Sequence, residues 1–150
     1  MSLFPNIDLI GQPDYADALR QLSPNAVAGV ATLVVYDDDL VFLSRVLNAA
    51  GYDDPALQLH LLHWSPDQGD IDLASLVRHL KVNKVMLFGQ SLKGFGLHFN
   101  VADYFPVEVS GCTYLVCPSV ETISTAKTNG DNGPASALWR AVKTEFMKPQ

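Results

Sequence analysis

The chain has 150 residues, 48% of them hydrophobic, and a net charge of −6. That length builds one domain with a real core, and that apolar content excludes a disordered chain. The acidic balance argues against tight, sequence-independent nucleic-acid binding, which takes clustered Lys and Arg.

Residues 1–25 read as an irregular lead-in broken by Pro5, Pro13 and Pro24. Tyr15, Ala18, Leu19 and Leu22 share one face at helical spacing, which predicts a short helix over 14–22. The N-terminus shows no basic region ahead of an apolar core, and no apolar run reaches the ~18 residues of a membrane span. The expectation is a cytoplasmic protein without membrane contact. Phe4, Ile7, Leu9 and Ile10 have little regular structure to bury them and are expected as a docking segment for a protein partner. Packing of this segment across the sheet edge is the other reading.

Residues 26–150 read as a single α/β domain. VAGVATLVVYD (27–37) is apolar on both faces and rich in β-branched residues, as in a strand covered on both sides. Asp37, Asp38 and Asp39 follow. Leu40, Leu43, Val46 and Leu47 then lie along one helical face, with an Asp to cap the start and Gly51 to stop it. LQLHLLHW (57–64) reads as a second strand, DIDLASLVRHL (70–80) as a second amphipathic helix, and KVMLFG (84–89) as a third strand. Alternation of strand and helix implies a mostly parallel sheet of four to five strands, in three layers with helices on both faces.

After Gly89 the rhythm breaks, and PVEVSG and CTYLVCPS follow, with Gly111 as a turn or a bulge. Cys112 and Cys117 are the only cysteines. Their odd separation puts them on opposite faces, ~16 Å apart along an extended segment. A disulfide needs Cα atoms within about 7 Å, so both are expected reduced. Beyond Pro118, VETIS is expected to cross the sheet edge and TAKTNGDNG to supply slack. A helix over 135–147 would then cover one sheet face with Leu138, Trp139, Val142 and Phe146.

Several short motifs bear on chemistry. GQPDY (11–15) is similar to the GQDPY motif of uracil-DNA glycosylases, but Asp and Pro are transposed, and it precedes the first core strand instead of following it. GQSLKGFG (89–96) follows a strand like a phosphate loop, yet lacks the Gly-Lys-Ser/Thr ending and the dinucleotide glycine spacing. The carboxyl edge of such a sheet still favours ligands, which makes Gln90, Ser91 and Lys93 the small-ligand candidates. The Asp37–Asp39 run resembles the acidic pair of receiver domains, but strand three ends in Phe88 and Gly89 instead of a phosphoacceptor Asp; helix capping explains the run more simply. His60 and His63 point to opposite faces of a strand, and no metal set follows from them. No Gly-x-Ser-x-Gly elbow is present. The expectation is a domain without catalytic residues, metal or cofactor.

The tract CPSVETIS…ALWRAVKTEF resembles the C-terminal end of the psi subunit of bacterial DNA polymerase III, a clamp-loader accessory protein. Members of that family close on a buried strand, a proline, an apolar–x–x–apolar step, a polar stretch and a helix opening on Leu-Trp. Here those positions are Pro118, Val120, Ile123, Leu138 and Trp139. A weaker likeness covers TLVVYDDDLVFLSRVLNAAG. The resemblance implies a uracil-DNA-glycosylase-like fold stripped of its catalytic residues. It implies a non-catalytic role in DNA replication, bridging clamp-loader components to a chi-like subunit that meets single-strand-binding protein. Apart from the resemblance, Trp139 on a helix with Leu138, Val142 and Phe146 reads first as a core residue whose indole N–H needs a partner; contact with a protein partner is the other reading. The aromatic and basic peptide by which family members reach the clamp loader has no counterpart in residues 1–25. Two alternatives stay open: a divergent glycosylase-like enzyme using Gln90, Ser91 or Asp37, and a small-ligand domain on a flavodoxin- or receiver-like plan.

Overall fold

A computed structural model of the chain describes residues 15–22, 29–90, 92–97 and 102–146. Five strands form one sheet: β1 (Thr32–Tyr36), β2 (His60–His63), β3 (Lys84–Phe88), β4 (Val107–Val109) and β5 (Cys112–Cys117), in the order β2-β1-β3-β5-β4. The first four in that order run parallel, and β4 pairs antiparallel with β5. The helices are α1 (Ala16–Gln21), α2 (Leu40–Ala50), α3 (Pro55–Gln58), α4 (Leu73–Leu80), α5 (Val120–Thr128) and α6 (Gly133–Ala141). A single π-helical turn, Val142–Phe146, continues α6. Among the described residues, no helix is long and apolar enough to cross a membrane.

Alternation along the strands feeds two cores. Val34, Met86, Phe88, Leu115 and Cys117 face α2, α5 and α6, where they meet Leu43, Leu47, Ile123, Leu138, Val142 and Phe146. Leu33, Val35, Val85, Leu87 and Tyr114 face the other way, onto Ala18, Trp64, Ile71, Leu76 and Phe95. Both faces of the central strands are therefore buried, which is why β1 and β3 read as unbroken apolar runs. Cys112 and Cys117 belong to opposite cores and are free and buried, as their spacing predicts. Ser110 and Gly111 form the two-residue hairpin loop between β4 and β5. Both have positive φ, 52° and 81°, the geometry that matches strand twist.

Three expectations need correction. The predicted strand over 57–64 begins instead with helix α3. Pro55 sits in the first turn after Asp54, where its missing N–H costs nothing, and only His60–His63 pairs with β1. The stretch after Pro118 is mostly helical, and only residues 129–132 of the polar tract form the reversal expected of it. Its first part is helix α5, started by Ser119, whose hydroxyl accepts from Thr122 N at 3.1 Å. Only Val120 and Ile123 of α5 are buried, so its apolar signal is thin. The last helix begins at Gly133, and its Trp139 does not join Leu138, Val142 and Phe146 in the core: they are 0–4% exposed, whereas Trp139 is 38% exposed. Within the lead-in, α1 packs Ala18 into the core, and Leu22 bridges to Leu62 on β2. Phe4, Ile7, Leu9 and Ile10 lie outside the described residues, as do residues 11–14 of the GQPDY motif.

Candidate functional site

In an open parallel sheet, ligands favour the crevice at the carboxyl edge where strand order reverses. Here β1 leads to β2 on one side and β3 lies on the other, so the crevice falls between the ends of β1 and β3. Asp37 follows β1, Gly89 follows β3, and Ser119 follows β5. The three meet. A Cβ built on Gly89 would lie 2.6 Å from Asp37 Oδ2 and 2.9 Å from Ser119 Cβ. Asp37 Oδ1 accepts from Val120 N at 3.4 Å, at the positive end of α5. Asp37's own carbonyl accepts from His63 Nε2 at 2.9 Å. The Asp37 carboxylate thus lies at the crevice, held against Gly89 and the start of α5.

The other two aspartates of the run also serve backbone N–H groups. Asp38 Oδ1 accepts from Asp39 N at 2.7 Å, and Asp39 Oδ1 accepts from Phe42 N at 3.1 Å, capping α2. Among the described residues, no three His, Cys, Asp or Glu side chains gather as metal ligands. At the same edge, burial pushes the Cys117 thiol well up, with Asp103 adding to it. Tyr104 is pushed up to about 12, first by burial and then by Cys117 and Asp103. A thiol held in its neutral form is a poor nucleophile.

Gln90 and Lys93 line a cavity of about 420 Å³ next to this crevice, with Trp64, Asp70 and Phe95. Gln90 Nε2 donates to Trp64 O at 2.6 Å and to Phe88 O at 3.1 Å, so its amide braces β3 against the end of β2. Its Oε1 has no partner and is sealed from solvent. Trp64 Nε1 donates to Gly69 O at 3.1 Å. Ser91 lies outside the described residues.

The larger concavity lies on the helical face away from that cavity. α2, α5 and α6 enclose a groove of about 850 Å³, walled by Phe42, Arg45, Val46, Ala49, Lys127 and Trp139, among others. Trp139 Nε1 donates to Ala49 O at 3.1 Å, which holds the indole upright beside the groove while leaving it open to solvent. Lys143 Nζ sits 4.9 Å from the indole centroid, and Lys127 Nζ sits 5.9 Å from the Phe42 ring, each a cation–π contact. Val41, 67% exposed, extends the apolar rim. Sequence pattern singles out Trp139 but not its groove mates, because Phe42, Arg45 and Lys127 come together only through helix packing. The Phe42 and Lys127 positions carry no motif that could have marked them.

The arrangement suits contact more than chemistry. A large aromatic held by one hydrogen bond, next to an Arg and two Lys, has the composition of a protein interface centre. Comparison with protein-family models, curated proteins and solved structures returns no match to this chain.

Proposed function

We propose that this protein is a non-catalytic accessory subunit of the DNA replication machinery, psi-like, that joins clamp-loader components to a chi-like subunit. The observation that carries the proposal is the half-exposed Trp139, fixed to Ala49 O beside the α2–α5–α6 groove. An exposed Trp normally costs solubility; here it is preorganised, and preorganisation lowers the entropy cost of binding. Trp139 is also one of the positions that carry the likeness to psi. The chi-like partner docks in this groove. Phe4, Ile7, Leu9 and Ile10 are the second contact, toward the clamp loader.

The finer fold assignment, a uracil-DNA-glycosylase-like plan without catalytic residues, belongs to the same proposal. It is supported by the parallel four-strand core with helices on both faces. The reading as non-catalytic is supported by Asp37, whose carboxylate at the crevice is engaged with the chain itself, against Gly89 and Val120 N. The test is direct mixing of the purified chain with the chi-like subunit and the clamp-loader components of its host, read by size-exclusion chromatography. A stable stoichiometric complex is expected. Failure to associate, or release of uracil from uracil-containing DNA by the isolated chain, refutes the proposal.

A further inference from the structure

The groove is charged against the grain of the molecule. The chain carries −6 overall. Yet the groove wall holds Arg45 and Lys127 against a single carboxylate, Asp39, whose Oδ1 is engaged with Phe42 N. Lys143 adds a third cation above the Trp139 ring. All three cations are exposed, and none has a carboxylate partner among the described residues. Clustered unpaired cations repel one another and raise the local potential, so the site favours an occupant that brings negative charge.

The apolar part sets the rest. Phe42 lies in the first turn of α2, and Trp139 of α6 is tied to Ala49 in the last turn, so the two rings mark the two ends of the α2 wall, roughly 10 Å apart along its axis, with Val46 between. A bulky apolar side chain entering between the rings would be desolvated, and its flanking carboxylates would reach the three cations. We infer that the groove binds an acidic amphipathic segment of the partner, carboxylates against Arg45, Lys127 and Lys143 and an apolar anchor between Phe42 and Trp139. This rests on the groove being the partner surface, and it adds which chemistry the partner must present. An acidic segment is repelled by most of this protein's surface, so the groove also fixes where docking occurs.

The experiment is a calorimetric titration of the full chain with the host's purified chi-like subunit, at about 0.05 M and 0.3 M salt. The triple variant Arg45→Glu/Lys127→Glu/Lys143→Glu is compared with Lys81→Glu, a cation at the end of α4 on the opposite face. Thermal melts confirm that each variant is folded. Affinity for the wild type is expected to fall at least tenfold over that salt range, by loss of charge–charge attraction. The triple variant should lose at least tenfold at low salt, and Lys81→Glu should match the wild type. Wild-type binding that is indifferent to salt and to the triple reversal overturns the acidic-segment inference and leaves the partner reading standing. No binding by the wild type at either salt overturns both.

Discussion

Asp37 and Gly89 are in contact at the sheet's carboxyl edge, so close that only a glycine fits. A side-chain carbon on residue 89 would lie 2.6 Å from Asp37 Oδ2, and the backbone there has φ +66°. Gly89→Ala should therefore destabilise the fold by about 1–3 kcal/mol, from backbone strain and overlap together. Asp37→Ala in the same chain removes two of the three clashing atoms and should restore part of the loss. Urea denaturation of the two single variants and the double checks this. Strictly additive effects would mean that the contact is not what constrains Gly89.

Trp139→Ala should cost only about 1–2 kcal/mol, because the indole is 38% exposed and loses one hydrogen bond. Leu138→Ala, one residue away and 1% exposed, should cost about 2–5 kcal/mol. The ordering is read from melting curves and reverses if Trp139 packs as a core residue. Binding of the chi-like subunit should show the opposite order, with Trp139→Ala the more damaging of the two.

That contrast shows where sequence pattern stops being informative. Leu138, Val142 and Phe146 recur at the spacing of a buried face, and they are buried. Trp139 is adjacent to that face, and whether its ring turns inward depends on Ala49, which lies 90 positions earlier in the chain. β1, β3, α2 and α4 were legible because each buries a long apolar set. α5 was missed because two buried residues carry it, although the Ser119 cap and the Asn129–Gly130 stop were both present in the sequence. α3 was hidden inside an apolar run that continues into β2; the Asp54–Pro55 start was the available cue. Of the groove, the sequence marked one residue, since its other walls come from separate helices.

Neither thiol should react in the folded state. Burial pushes both Cys112 and Cys117 upward, so little thiolate forms near neutral pH. Ellman's reagent at pH 8 should register two thiols in urea and almost none within minutes in native buffer. Rapid labelling of the native protein would place at least one cysteine outside the core.

His60 gives a pH signature with a definite sign. Burial lowers its pKa below the ordinary value of about 6.5. The unfolded chain then binds the proton more tightly than the folded chain. Its stabilising contribution is complete above pH ~6.5 and is lost as pH falls from there through the lowered folded value. Melting temperature should drop between pH 7.5 and 5.5, and His60→Gln should drop less. Equal drops would assign the slope to other groups.

With its net charge of −6, the isolated chain should show no sub-micromolar affinity for single- or double-stranded DNA at physiological salt. Fluorescence anisotropy with labelled oligonucleotides measures this, and a tight, salt-sensitive isotherm would contradict it.

The closure of the α2 side of the sheet has a consequence during synthesis. Leu43 and Leu47 of α2 share a core with Leu138, Val142 and Phe146. Leu59, Phe88 and Ile123 join that core earlier in the chain, but Leu138, Val142 and Phe146 come last, about 90 positions after α2. At ordinary ribosome speeds the wait is on the order of ten seconds. Through that interval the α2 side lacks its last cover, and the apolar surface left open favours aggregation. The same residues that seal the finished molecule therefore set the moment at which it becomes safe to release.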